Sequence, residues 1–419
     1  GEPKVLVATY LGLLAPLPEL ARVVVLEEAA NSYKLPSGAR LFIPTVARLL
    51  AETHGVPLVL ADALPNPESR WRLPPEACID LGASDARLHV TDLTQASNWP
   101  VAGDLIRVLR QVQDRERQAV VLASRRGFSA ALSCSECHWL AMCPNCDLPL
   151  RYNQERYRLR CHQCGHSETA PRACPSCRSH HLLPSRAAGT QWVAREISKL
   201  LPGFCVRRYD GDRRDDLSGL LAGEPGIVVG TSAILRHPPL PKVSLVAVTL
   251  LDTALNLSDF RAEEEAYRLL SNLAELAPAS RPLTVVQTFQ PDHPVLEAFA
   301  GGDAAAFVQS LLARRERFGY PPFSAMAKVQ ISARQRSTAQ NAAAWLARAI
   351  STAGAATREL LGPAPAPVAR IRNQYSFQLF VRAADHARLQ LLLQPALAYH
   401  GTARVRVEVD PRDVSEFLE

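Results

Sequence analysis

Apolar residues in this chain gather into short runs of strand length, separated by polar or helix-like stretches. Near the start these runs are KVLVATY (4–10), RVVVLEE (22–28) and PLVLAD (57–62), with a helical stretch from Pro44 to Thr53 between the last two. After a variable stretch the pattern resumes with QAVVLAS (118–124). A helix from Thr190 to Leu201 follows, and then FCVRRYD (204–210), GIVVGT (226–231), VSLVAVTL (243–250) and LTVVQTF (283–289). Nearly continuous apolar runs predict strands buried on both faces, and their alternation with helices predicts a parallel α/β architecture.

The last hundred residues change period. FSAMAKVQIS (323–332) reads as a strand and STAQNAAAWLARAIST (337–352) as a long helix. A strand over 360–371, SFQLFVRA (376–383), a helix over 384–398 and RVRVEVD (404–410) complete the order βαββαβ. That order predicts a ferredoxin-like α+β layer. Pro321-Pro322 and the Pro-rich LGPAPAPV (361–368) punctuate turns and a sheet edge.

Length and composition add bounds. At 419 residues and 47% hydrophobic, the chain has room for about three domains with real cores. No apolar run approaches the roughly 20 residues that cross a bilayer, which excludes a helical membrane span. With no signal peptide and reduced thiols, the expected compartment is the cytosol. The first residue is Gly rather than Met, so a natural N-terminus is expected to be missing. Net charge is +6, and lysine occurs only at positions 4, 34, 199, 242 and 328. Arginine forks suit phosphate, though this bias alone says little about nucleic acid.

Eight cysteines form four CxxC pairs: Cys134/Cys137, Cys143/Cys146, Cys161/Cys164 and Cys174/Cys177. A two-residue gap turns both sulfurs toward one centre, so four pairs make two tetrahedral four-cysteine sites for zinc. Disulfides or a redox CxxC explain four such pairs less well. Sequential pairing would give two consecutive ribbons. Nested pairing closes Cys143, Cys146, Cys161 and Cys164 around an inner ion, and Cys134, Cys137, Cys174 and Cys177 around an outer one. RYNQERYRLR (151–160) alternates like a hairpin and favours nesting. Histidines 138, 162, 166, 180 and 181 read as surface residues, since eight thiolates satisfy two ions. Cys78 and Cys205 read as core thiols.

Several further motifs are specific. Ser124-Arg125-Arg126-Gly127-Phe128 precedes the cysteines and Gly189-Thr190-Gln191 follows them. Beyond these come Gly230-Thr231, Ser258-Asp259-Phe260-Arg261-Ala262-Glu263, Gly319-Tyr320-Pro321-Pro322-Phe323, Leu361 to Pro367 and Asp410-Pro411. Together with the cysteine spacing, they make the chain resemble the primosomal protein N′ (PriA) family of superfamily 2 helicases, over nearly its whole length. The resemblance implies RecA-like helicase lobes, the first one partial, with an inserted two-zinc module and a C-terminal ferredoxin-like domain. The implied boundaries are 1–115 for lobe 1 and its connection, 116–133 with 185–300 for lobe 2, 134–184 for the zinc insertion and 301–419 for the C-terminal domain. Implied partners are forked or branched DNA, single-stranded DNA, single-stranded-DNA-binding protein, and primosome proteins with the replicative helicase or its loader.

The chain departs from the family where the ATPase should be. There is no GxxxxGK[ST] loop. The DEEH-like motif reads Leu26-Glu27-Glu28-Ala29 and the GSATP-like motif Ala61-Asp62-Ala63-Leu64-Pro65. In place of QxxGRxGR stands the run from Asn272 to Ala279, with Leu276 and Ala279 at the arginine positions. An arginine finger alone is worth roughly 10³–10⁵ in rate. No catalytic residue, no ATP and no enzymatic activity are therefore expected. Glu27 and Glu28 read as solvated residues at a strand end rather than metal ligands.

What remains is binding. Candidate phosphate contacts are Arg125, Arg126, Arg151, Arg156, Arg158 and Arg160, with Arg172 and Arg178 beside the last cysteines. A second strip comprises Arg370, Arg372, Arg382 and Arg388. Trp139, Tyr152 and Tyr157 either stack on bases or pack the small zinc core. Three functions stay open: a non-catalytic fork-recognition and primosome-assembly protein, an active 3′→5′ helicase whose nucleotide loop lies upstream, and a structural zinc protein that binds other proteins.

Overall fold

The computed structural model describes residues 5–412, apart from 18, 36–39, 80–86, 97, 99, 124–130, 138, 154–156, 162–163, 185–188, 258 and 278–281. In chain order the strands begin with β1 (Val23–Leu26), β2 (Leu58–Ala61), β3 (Arg87–Asp92) and β4 (Gln118–Leu122). The cysteine segment holds β5 (Leu132–Cys134), β6 (Arg151–Asn153), β7 (Arg158–Arg160), β8 (Ser167–Thr169) and β9 (Leu182–Pro184). Then come β10 (Val206–Tyr209), β11 (Gly226–Gly230), β12 (Val243–Val248) and β13 (Leu283–Thr288). The C-terminal strands are β14 (Ala325–Ala333), β15 (Leu360–Ile371), β16 (Gln374–Ala383) and β17 (Arg404–Val409). None of the described helices is long and apolar enough to cross a membrane. The chain divides into two compact units, one of residues 1–79, 305–367 and 375–419, the other of residues 80–304 and 368–374.

The larger unit is built on a six-stranded parallel sheet in the order β10-β11-β4-β12-β13-β3. The central strands β4 and β11 are buried at every position, as expected for apolar runs covered on both faces. The edge strands β10 and β3 are instead half exposed and carry Arg207, Arg208, Arg87 and His89. That polarity hides β3 from a search for apolar runs. The helix Gly103–Asp114 buries Leu105, Ile106, Leu109 and Val112 on one stripe, a readable helical period. Strand β3 and the helix Gly103–Asp114, expected with the first lobe and its connection, thus belong to this layer, β3 by pairing with β13 and the helix by packing its buried stripe on the sheet. The cysteine segment enters after β4 and returns through the helix Thr190–Leu200 into β10.

In the other unit, β1 and β2 form a two-stranded parallel sheet. Only one face is covered: Val23 and Val25 pack with Ala47 and Ala51 of the helix Ile43–His54, while Val24 and Leu26 are exposed. Residues 5–8, expected to begin a strand, have no strand assignment, and Tyr10–Leu14 form a 3-10 turn. Val5 and Val7 are each 91% exposed. An apolar run without a neighbouring strand has no ladder to join, so the pattern overcalls it.

The four-stranded antiparallel sheet has the order β15-β16-β14-β17, with helices Arg336–Thr352 and His386–Leu397 packed on one face. This is the ferredoxin-like layer. Pro363, Pro365 and Pro367 lie in β15, a sheet edge, where a missing N–H breaks no interior ladder. Every residue of β14 is buried, including Lys328 opposite Glu408 of β17. Glu408 also draws Lys34 at 3.9 Å and Arg40 at 3.4 Å from the first 79 residues. Arg315 reaches Glu68 at 3.2 Å, and Arg412 Nη2 donates to the Ala29 carbonyl at 2.6 Å. The chain's beginning and its C-terminal domain are therefore one packed body.

Candidate metal centres

Each CxxC pair lies at a tight turn, and all four turns follow one rule. The N–H of the first cysteine donates to the carbonyl five residues on: Cys134 to Trp139, Cys143 to Leu148, Cys161 to His166 and Cys174 to Ser179. The closed turn presents both sulfurs to one side. The module is pinned at its base by β5 and β9, with Cys134 opposite Leu182. Strands β6 and β7, between the inner turns, and β8, just after the second of them, form a three-stranded antiparallel sheet.

Two clusters result: Cys134, Cys137, Cys174 and Cys177, and Cys143, Cys146, Cys161 and Cys164. In each, the four sulfurs lie within 4.8 Å of one another, which is the nested arrangement. Sulfur pairs Cys134/Cys177, Cys137/Cys174 and Cys143/Cys164 are each 3.6 Å apart, too far for a disulfide. A tetrahedron with zinc–sulfur bonds of about 2.3 Å has edges of about 3.8 Å, so the donor sets fit zinc. The chain has two zinc sites, each made by four cysteines. Four protein ligands leave no open coordination position, so these are structural centres. The Trp139 N–H brings the Cys137 thiol down to about 7, and burial pushes Cys146 up to about 12. Zinc must displace the remaining protons, so binding weakens as pH falls.

None of the described histidines belongs to either cluster. His181 pairs with Glu136 at 2.8 Å and His166 with Glu168 at 3.0 Å. His138 and His162 lie outside the described residues. Cys78 is exposed and Cys205 half-buried, so neither is the core thiol expected; Cys78 directly follows the short turn Pro75–Ala77.

Around the inner site, strand alternation separates two faces. Leu159 is fully buried, while Arg158 and Arg160 on either side are exposed. Arg151 stands opposite Arg160 in register, and Arg158 Nε donates to Ser167 at 3.2 Å. Tyr152 and Tyr157 pack edge to face at 6.0 Å, and Tyr157 keeps 45% of its surface exposed. Arg172 and Arg178 are exposed. Arg125, Arg126 and Arg156 lie outside the described residues.

The second arginine strip is largely engaged within the chain. Arg388 holds Glu359 at 3.0 Å and the Gly354 carbonyl at 2.6 Å. Arg382 donates to the carbonyls of Phe318 and Arg358, and Arg370 pairs with Asp147 at 3.0 Å. Arg372 is exposed, but its backbone N–H donates to Cys146 Sγ at 3.3 Å. Sequence spacing offered no hint of this last contact, because its partners lie 226 residues apart.

The positions that the resemblance sets against nucleotide motifs have structural work. Glu28 is buried, not solvated as expected; its carboxylate accepts the Asn66 N–H at 3.0 Å and the Ser69 hydroxyl at 2.7 Å. It thereby fastens the start of the helix Pro67–Arg72, a use invisible without knowing where that helix lies. Ala29 is buried and donates to Asp62 at 2.9 Å. Leu276 is buried, whereas Ala279 lies outside the described residues.

Fold and site define a class: an α/β protein whose parallel sheet carries a structural two-zinc insertion, joined to a ferredoxin-like domain. Residues 316–412 match the family of the Primosomal protein N C-terminal domain, and residues 143–168 match the PriA DNA helicase Cys-rich region (CRR) domain. A protein of Deinococcus radiodurans named "Probable replication restart protein PriA" is 44% identical over 431 residues, covering 98% of this chain and 46% of that protein. Replication restart protein PriA of Haemophilus influenzae is 31% identical over 436 residues, covering 99% and 60%. That of Bacillus subtilis is 29% identical over 422 residues, covering 95% and 52%. The chain belongs to the PriA family of replication restart proteins. It spans about half the length of the relatives it matches. Similarity to the solved Saccharomyces cerevisiae Dbp5 bound to RNA and ADP BeF3 is remote, at 12% identity and a TM-score of 0.34, covering 71% of this chain and 65% of that one.

Proposed function

We propose that the chain acts in replication restart. It binds stalled or abandoned DNA forks, helps assemble the primosome and reload the replicative helicase, and has no ATPase or helicase activity of its own. The observation that carries this reading is the match of nearly the whole chain to replication restart proteins at up to 44% identity among those compared. We read the six-stranded parallel sheet as the second lobe of a RecA-like helicase framework and β1–β2 as what is kept of the first. Partners follow from the same reading: forked and single-stranded DNA, single-stranded-DNA-binding protein and the helicase loader, in the bacterial cytoplasm.

The non-catalytic half rests on residues. Leu26, Ala29, Leu276 and Ala279 stand where the resemblance calls for Asp, His, Arg and Arg. The employment of Glu28 and Asp62 in local hydrogen bonds supports a scaffold role for that segment. DNA-stimulated ATP turnover by the full-length protein should not exceed the no-enzyme control. Turnover or strand separation above that control would return the chain to the active helicases. Fork binding is tested separately, by affinity for branched against linear duplex DNA across a salt series.

A further inference from the structure

The four cysteine turns differ in one respect. In three of them the second cysteine receives an N–H from two residues further on: Cys137 from Trp139, Cys164 from His166 and Cys177 from Ser179. In the turn from Cys143 to Cys146, that donor comes from elsewhere. It is the N–H of Arg372, 3.3 Å from Cys146 Sγ. The same segment is fastened by four more contacts. Asp147 N–H donates to the Arg370 carbonyl at 2.8 Å and Asn373 N–H to the Asn145 carbonyl at 2.8 Å. Arg370 Nε pairs with Asp147 at 3.0 Å, and Asn373 Nδ2 meets Asn145 Oδ1 at 3.2 Å. Both residues 145–147 and residues 368–374 fall in the same compact unit.

The backbone is shaped for this. Arg372 and Asn373 have φ of 48° and 59°, the left-handed pair that a two-residue hairpin turn between β15 and β16 requires. Such a turn aims successive N–H groups outward, and here they meet a thiolate and a carbonyl. Hydrogen bonds to ligating sulfurs fix their orientation and spread their charge, and losing such a partner typically costs about 10–100-fold in metal affinity.

We propose that the turn at residues 370–373 is an integral part of the inner zinc site: within the Cys143–Cys146 segment the Asn145 N–H serves Cys143 Sγ at 3.4 Å, and the turn supplies the N–H to the second sulfur, Cys146. The inner ion is then held in place by the turn, whereas the outer site is complete without it. The test uses the full chain loaded with zinc, exposed to a chelator and N-ethylmaleimide, with alkylation of each cysteine followed by mass spectrometry. Arg370→Met with Asn373→Gly removes both side-chain anchors while glycine keeps the positive φ. Alkylation of Cys143, Cys146, Cys161 and Cys164 should quicken about 10-fold, with Cys134, Cys137, Cys174 and Cys177 unchanged. Arg370→Lys, which retains a charge facing Asp147, should recover most of the parent rate. An α-hydroxy acid at position 372, which replaces only the N–H, should act like the double variant. Unchanged inner cysteines in both variants would overturn the proposal, and so would equal acceleration of both clusters, since that is general loosening.

Discussion

At the residue scale, the chain concentrates polar contacts at a few buried side chains. Asp210 is one. It accepts the Thr190 hydroxyl, the N–H groups of Asp212 at 2.8 Å and Arg213 at 2.9 Å, and a 3.0 Å contact from Arg208. Burial alone would push its carboxyl up, but these donors hold it below the usual carboxylate range. Its contribution is therefore complete above the unfolded value of about 4 and is lost as pH falls through the lower folded value. Asp210→Ala should cost about 2–3 kcal/mol by stranding its donors, and the stability gap to the parent, followed by urea unfolding, should shrink in acid. The zinc ligands are the second case. Cys143→Ser or Cys164→Ser should leave one zinc per chain by elemental analysis, with the outer ion retained.

At the element scale, the hairpin from 151 to 160 is the strongest candidate for DNA contact, because alternation exposes Arg158 and Arg160 while Leu159 closes the core. Neutralising Arg156, Arg158 and Arg160 together should lower the salt dependence of fork binding by up to about three charges' worth. An unchanged slope would reassign the module to protein contacts. Much of this scale was legible in advance. Apolar runs located β4, β11, β12 and β13, and four CxxC spacings located both zinc sites. What stayed hidden shares one cause, since each case depends on where another part of the chain lies. Edge strand β3 is polar because one side meets solvent. KVLVATY is apolar but unpaired. Glu28 looks like a surface carboxylate until the helix from Pro67 is set beside it. Arg388, read as a phosphate contact, faces Glu359.

At the scale of the whole molecule, the sequence suggested lobes in series, whereas residues 1–79 pack with residues 305–367 and 375–419 as one unit. Ion pairs to Glu408 and the Arg412 contact to Ala29 belong to that unit, so its stability depends on both ends of the chain. The pairing of Leu132–Cys134 with Leu182–Pro184 has a different outcome. It ties the point where the chain leaves the sheet to the point where it returns. To the surrounding sheet, everything between these strands is equivalent to a single short loop, whatever its internal length or folding state. Evolution can enlarge, trim or exchange such an appendage in one genetic event without shifting the register of any core strand. What limits such change is therefore not the sheet but the module's other tie, to the turn at residues 370–373.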